Sequence, residues 1–170
     1  MRNARESVDN MIREMRRDEI PACVELIKKS FKTVADAYGF TEENAPRFTA
    51  FATTEERLLS QLNGEHRPMY VCEEDGVLCG YYSLLMQENN ECELNNLAVL
   101  PEYRHKGIGK MLLEHSFSVA RDNGCKQMNI GIVEENQILR KWYEANGAVH
   151  LGTHKFDFFP FTCGYMKISL

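Results

Sequence analysis

The chain has 170 residues, 44% of them hydrophobic, with a formal charge of −5 and a pI near 5.6. That is long enough for one well-buried core and short for two domains. Scattered Lys and Arg in an acidic chain exclude a nucleic-acid surface, and no run approaches the roughly 20 apolar residues of a membrane span. The first residues also lack the apolar core of a signal peptide, so the expectation is a cytoplasmic protein with no nucleic-acid or membrane partner.

Residues 1–10 are polar and aperiodic and read as a tail, leaving 11–170 as the domain. A first strand is expected from Met11 to Met15, followed by Asp18 capping a helix in which Ile20, Cys23, Val24, Ile27 and Phe31 recur at helical spacing. Residues 32–54 then carry Tyr38, Phe40, Phe48 and Phe51 among Asp36, Glu42 and Glu43. Thr53 or Thr54 caps a second helix, Glu55 to Leu62, which ends at Asn63 and Gly64. Strands from Met69 to Glu74 and from Val77 to Met86 flank Asp75-Gly76, a two-residue hairpin turn that would set Glu74 against Val77 and Cys72 against Cys79. The six cysteines contain no Cys-x-x-Cys pair, so reduced thiols and no metal site are expected.

A strand from Glu91 to Leu100 ends at Pro101, which lacks a ladder donor. Arg104, His105 and Lys106 lead through Gly107, Ile108 and Gly109 into an amphipathic helix that runs to Asp122 and stops at Asn123-Gly124. His115 lies on its apolar stripe and reads as a packed residue. A strand from Lys126 to Val133, a short helix from Asn136 to Asn146 and two strands, His150 to Phe156 and Gly164 to Ile168, complete the chain. His150 and His154 would share a face of a regular strand, but two histidines alone make a poor metal site.

The first N–H groups of the helix after Gly107 have no carbonyl partner and sit at the positive end of its dipole, so this turn suits a phosphate. A Walker A loop fails, because Lys110 is followed by Met111, and a Rossmann fingerprint fails, because its third glycine would be Leu112. What fits is Arg104-x-x-Gly107-x-Gly109 after a strand ending Val99-x-Pro101-x-Tyr103. This segment resembles the pyrophosphate-binding signature Gln/Arg-x-x-Gly-x-Gly/Ala of the GCN5-related N-acetyltransferase family. The order of elements from Met11 onward is also similar to that family's.

The resemblance implies an α/β (α+β) fold, a central mixed and mostly antiparallel sheet of about seven strands flanked by about four helices. It implies acetyl-CoA as co-substrate, no metal, and a primary-amine acceptor, a small molecule in preference to a protein, attacked directly in a ternary complex. The main chain of Leu97, Ala98 and Val99 would bind pantetheine like an added strand, with the Val99 N–H polarising the thioester. The N–H groups of His105, Lys106, Gly107, Ile108, Gly109 and Lys110 would hold the pyrophosphate, with Arg104 and Lys106 adding charge. A homodimer is left open. So are two other readings, an acyl-CoA sensor without turnover and an enzyme acting on protein lysines or N-termini.

Acetyl transfer to an amine of pKa near 10.4 meets a protonation barrier of about 4.6 kcal/mol at pH 7. Glu93, eleven residues before Arg104, matches the position of the general base in some family members; Glu91, or a water held by Asn95 or Asn96, could replace it. On a helix, Asn136, Arg140 and Tyr143 fall within about 60° of one another, while Ile138, Trp142 and Ala145 form a separate apolar stripe expected to pack on the sheet. The spacing Asn136-x6-Tyr143-x3-Gly147 resembles the family's last motif, in which the asparagine contacts pantetheine and the tyrosine protonates the departing sulfur. Gly147-Ala148 departs from the family's usual Gly-Phe. Residues 38–51 and the loop Phe156 to Phe161 could roof an acceptor pocket, although most of those rings read as core. Asp157 could hold an amine cation there, whereas Asp36, Glu42 and Glu43 would suit a polyamine.

Overall fold

The computed structural model describes residues 11–170; residues 1–10, read as a tail, lie outside the described residues. In chain order the elements are β1 (Ile12–Glu14), α1 (Ile20–Tyr38), α2 (Thr49–Ala52), α3 (Glu55–Asn63), β2 (Met69–Glu74), β3 (Val77–Gln87), β4 (Glu91–Val99), α4 (Ile108–Asp122), β5 (Gln127–Val133), α5 (Gln137–Ala145), β6 (Val149–His154) and β7 (Cys163–Ser169). They form one seven-stranded sheet in the order β1-β2-β3-β4-β5-β7-β6, antiparallel throughout except for β4 and β5. No described helix is long and apolar enough to cross a membrane.

One sheet face packs Leu84, Cys92, Leu94 and Met128 against Ile108, Leu112 and Leu113 of α4. The other packs Met69, Val71, Tyr81 and Ala98 against Ile27 of α1 and Leu58 of α3. A third cluster joins Phe40 and Phe48 to Phe161 of the β6–β7 loop. Gly80 permits the closest of these approaches. A Cβ there would stand 2.6 Å from Leu112 Cδ1 and 3.2 Å from Cys72 Cβ, so α4 sits almost on the β3 backbone.

Asp18 does not cap α1. It is largely exposed and lies 3.5 Å from Arg16, while Glu19 accepts from the Arg16 N–H at 2.8 Å and from both Arg13 Nη atoms at 3.0 and 2.7 Å. The longer carboxylate reaches back from the third position of a 3-10 turn, Arg17–Glu19, that precedes the helix. Helix α1 also runs past Phe31 to Tyr38, where Gly39 at φ 72° closes it. The second cap follows the sequence, with Thr54 accepting from Arg57 N.

Asp75 and Gly76 make the expected two-residue turn, both left-handed at φ 51° and 79°, and Glu74 opposes Val77. The pairing of Cys72 with Cys79 fails, because a bulge after Cys72 sets it against Gly80. The two thiols are free and fully buried, and Cys79 Sγ lies 3.5 Å from the Cys72 carbonyl oxygen.

A second bulge shapes the middle of the sheet. Ala98 opposes Tyr81 but Asn95 opposes Ser83, so β4 carries one residue more than β3, and Asn96 sits there at φ 53°. Asparagine tolerates this conformation better than most residues. Pairing between β4 and β5 starts at Glu91 with Gln127 and stops at Leu94 with Ile130. Beyond that point the two strands part.

The Arg13 guanidinium holds the Glu19 carboxyl below the usual carboxylate range. A depressed folded-state pKa gives stability that is present above the unfolded value and is lost as pH falls through the folded value. Glu19→Gln is therefore expected to lower unfolding free energy at pH 7 by about 1.5–3 kcal/mol. In urea titrations across pH, its gap to the wild type should close only below the ordinary carboxylate range.

Candidate active site

The divergence of β4 from β5 opens a cavity of about 500 Å³ that reaches both faces of the sheet. Leu94, Asn96, Leu97 and Val99 line one side and Ile130 and Gly131 the other. Ser30, Phe31 and Val34 of α1 close one end, and Ile138, Leu139, Trp142 and Tyr143 of α5 line the opposite part. Arg104, His105, Gly107, Gly109 and Lys110 border it where α4 begins.

Leu100 N donates to Cys79 O at 2.8 Å, which makes Gly80 and Val99 a pair that exchanges no ladder bonds. By strand alternation the N–H groups of Leu97 and Val99 point toward the cleft. At its end the chain turns through His105 at φ 62° and Gly107 at φ 84°, and Met111 N to Gly107 O at 3.1 Å is the first bond of α4. The N–H groups of Ile108, Gly109 and Lys110 thus precede the helical ladder. A Cβ on Gly109 would lie 3.7 Å from Trp142 and 3.8 Å from Val99, so its bare backbone forms a floor between them. Free donors at one end and an apolar, strand-edged slot behind them fit a diphosphate joined to an extended amide-bearing arm.

The side chains divide the expected cofactor residues. Leu97, Val99, Arg104, His105, Gly107, Gly109, Lys110 and Asn136 border the cavity. Ala98 and Ile108 are 2% and 4% exposed and belong to the two cores, which leaves only their main chain to a ligand. Lys106 is outside the lining, with Nζ 4.9 Å above the Tyr103 ring, and Lys110 is an exposed partner of Glu114 at 3.8 Å. Asn136 is the N-cap of α5: its Oδ1 accepts from Leu139 N at 3.2 Å, leaving the amide NH₂ to donate.

Arg104 departs from expectation. Its Nε donates to Val99 O at 3.1 Å, Nη1 to Thr33 Oγ1 at 2.9 Å, and Nη2 to Ser30 O at 2.9 Å and Ser30 Oγ at 3.2 Å. The guanidinium points into α1 and not out to the loop, and burial lowers its pKa.

The apolar stripe of α5 departs from the sequence reading: Ile138 and Trp142 share the cavity lining with Asn136 and Tyr143. Ile138 is 85% exposed at the cavity mouth, whereas Tyr143 is the buried residue of the helix. Arg140 leaves the shared face to pair with Glu134 at 2.8 Å and Glu144 at 3.0 Å. The reason is the cleft itself, which takes the place of the sheet surface that an apolar stripe would normally cover. The Tyr143 ring sits edge-on to Trp142 at 5.0 Å, and its hydroxyl has no hydrogen-bond partner among the described residues. Burial raises its pKa, so the phenol stays protonated.

Glu93 does not line the cavity. It lies on the sheet face opposite Leu94, beside Asn129 in register, and accepts from Gln87 Nε2 at 3.3 Å. Glu91, two residues earlier on that face, accepts from Asn129 Nδ2 at 2.9 Å.

The two aromatic segments meet as a core. Phe40 and Phe48 are buried 4.9 and 5.8 Å from Phe161, while Phe158 stays exposed under Arg47 at 4.3 Å. Phe31, edge-on to Phe48 at 6.1 Å, links this cluster to the cavity. Asp36 is paired with Lys32, and Asp157 is exposed. His115 is packed as expected, 2.7 Å from the Tyr82 hydroxyl. A bulge parts His150 from His154: His150 bonds Glu134 at 2.9 Å, and His154 stands against Phe156 at 4.3 Å. The described residues hold no group of three metal-ligating side chains.

Sequence reasoning missed Ser30, Phe31 and Val34 as cavity wall, and Asn96 as the bulge. The available signals were a serine inside the apolar stripe of α1 and a polar pair, Asn95-Asn96, inside a strand.

Other proteins share parts of this sequence and its fold. An uncharacterized N-acetyltransferase of Mycobacterium bovis is 27% identical over 100 residues, covering 59% of this chain and 64% of that protein. A spermidine N(1)-acetyltransferase of Thermoplasma acidophilum is 26% identical over 141 residues, covering 80% of this chain and 86% of that one. The crystal structure of PaiA N-acetyltransferase from Thermoplasma acidophilum in complex with coenzyme A superposes with a TM-score of 0.80 at 21% identity, over 94% of this chain and 98% of that one, a likeness of fold. The family model for the acetyltransferase (GNAT) family matches residues 22–148, well over half of the sequence, and the chain belongs to that family.

Proposed function

We propose that the chain is an acetyl-CoA-dependent N-acetyltransferase that moves the acetyl group to a primary amine of a small molecule by direct attack in a ternary complex. The observation that carries this reading is the hydroxyl of Tyr143, a buried residue that lines the cavity; the hydroxyl makes no hydrogen bond among the described residues, and the cavity begins at the uncapped start of α4. Binding alone would need no proton donor there.

The pyrophosphate of acetyl-CoA would rest on the N–H groups of Ile108, Gly109 and Lys110, and its pantetheine arm against Leu97 and Val99. The Asn136 amide NH₂ is free to donate to that arm. With both substrates held, attack becomes effectively intramolecular. The amine nitrogen bonds the acetyl carbon, the carbon–sulfur bond breaks, and the Val99 N–H faces the oxygen where charge develops. Tyr143 gives its proton to the departing sulfur. Burial that holds the phenol protonated also disfavours a bare thiolate, so donor and acceptor are matched in a dry site.

The amine approaches from the α1 side, past Phe31, Val34 and Gly131. Glu93 takes its proton through water, since the carboxylate stands on that side of the sheet and outside the cavity.

Titration with acetyl-CoA by calorimetry, followed by CoA-thiol release with amino acids, polyamines, aminoglycosides, arylamines and lysine peptides, tests the reading. Binding and turnover with a small amine support it. Turnover confined to peptides would move the acceptor to proteins, and tight binding without turnover would favour an acyl-CoA sensor. Tyr143→Phe is expected to lower kcat by about 10²-fold or more while the acetyl-CoA Kd stays near wild type. A proportionate loss of binding would remove the acid role. Glu93→Gln should flatten the acidic limb of the kcat/KM profile; an unchanged profile would transfer the base to a water held at Asn95 or Asn96.

A further inference from the structure

We infer that Arg104 is a positioning residue: its guanidinium fixes the Val99 peptide and fastens the anion-binding loop to α1, and it is not a phosphate ligand. The inference rests on the acyl transfer proposed above, because the Val99 N–H matters as the donor at the thioester oxygen.

Four hydrogen bonds occupy all three guanidinium nitrogens, and every acceptor is neutral: Val99 O, Thr33 Oγ1, Ser30 O and Ser30 Oγ. Val99 O takes a second bond from Ser30 Oγ at 3.1 Å, and the far side of the same peptide, Leu100 N, donates to Cys79 O at 2.8 Å. That peptide plane is therefore held from three directions. Its neighbour, carrying the Val99 N–H, is left aimed at the cleft by the ladder. Thr33 Oγ1 donates to Ser30 O at 2.8 Å, so the α1 side of the clamp is itself tied down.

A planar fork can serve these separated acceptors at once. A lysine can supply the charge but not the fork. Ser30 borders the cavity one residue before Phe31, so the clamp also sets the wall on the amine's side relative to the loop on the cofactor's side.

Arg104→Lys separates the two roles, since a phosphate ligand would tolerate it and a clamp would not. Arg104→Lys is expected to lower kcat by about 10²-fold, the scale of an ångström-sized misplacement, with affinity for ADP, a pyrophosphate without the pantetheine arm, staying within about threefold. Thr33→Val, outside the loop, should move kcat in the same direction. Wild-type kcat in Arg104→Lys, or ADP affinity that falls in step with kcat, would overturn the assignment. Amide exchange supplies a readout without turnover: Leu100 N–H protection should drop in both variants, and unchanged protection would refute the clamp. Absence of turnover in the wild type would count against the proposed activity, and exchange at Leu100 would still decide on Arg104.

Discussion

Two parallel strands that pair for four residues and then separate impose the constraint on which this structure depends. Backbone N–H and C=O groups inside a sheet must be satisfied, yet β4 beyond Leu94 and β5 beyond Ile130 have lost each other. One of the exposed groups, the Val99 carbonyl, is closed off by Arg104 and Ser30. The others face a slot wide enough for an extended chain carrying its own amides. The bulge at Asn96 makes the separation possible, because the extra residue lets β4 keep its bonds to β3 while it turns from β5. The helices then take their places around the gap, with α4 presenting its start, α5 its tyrosine and α1 its closing wall.

The slot passes through the sheet, and its two openings differ in chemistry. On the α4 side, uncommitted N–H groups, the exposed Ile138 and the half-buried Trp142 suit a ligand that is anionic at one end and apolar along its length. On the α1 side, Phe31 and Val34 stand near an open strip of sheet carrying Glu91, Glu93 and Tyr165. The phenylalanine cluster around Phe40, Phe48 and Phe161 ties α1 to the β6–β7 loop from behind. Those rings shape the acceptor side by fixing α1 and do not themselves form a pocket.

Much of this was legible in the sequence, and the exceptions share a cause. The strand and helix order, the Asp75-Gly76 turn, the Thr54 cap and the loop from Arg104 to Gly109 all carry local signals, since each depends on residues adjacent in the chain. The three bulges, after Cys72, at Asn96 and after His150, are set by how neighbouring strands meet across the sheet. Two of them shifted a register that simple alternation had placed elsewhere, parting His150 from His154 and setting Cys72 against Gly80. Helix α5 was misread for a related reason. Periodicity finds an apolar stripe but cannot distinguish a sheet from a ligand slot as the surface it covers. The Arg104 side chain was assigned to the loop because its charge suits phosphate, while its partners besides Val99 O lie more than 70 positions earlier on α1.

The missing Cβ of Gly80 has a mechanical consequence. With Leu112 where a side chain would otherwise stand, α4 rests on the backbone of β3 and has no compressible layer beneath it. The end of the cavity bordered by the start of α4 is thus its stiff side. Helix α1 is seated on the opposite face by the buried Cys23, Leu26 and Ile27, so α5, with Tyr143 its one buried residue, is the least buried of the helical walls around the cavity.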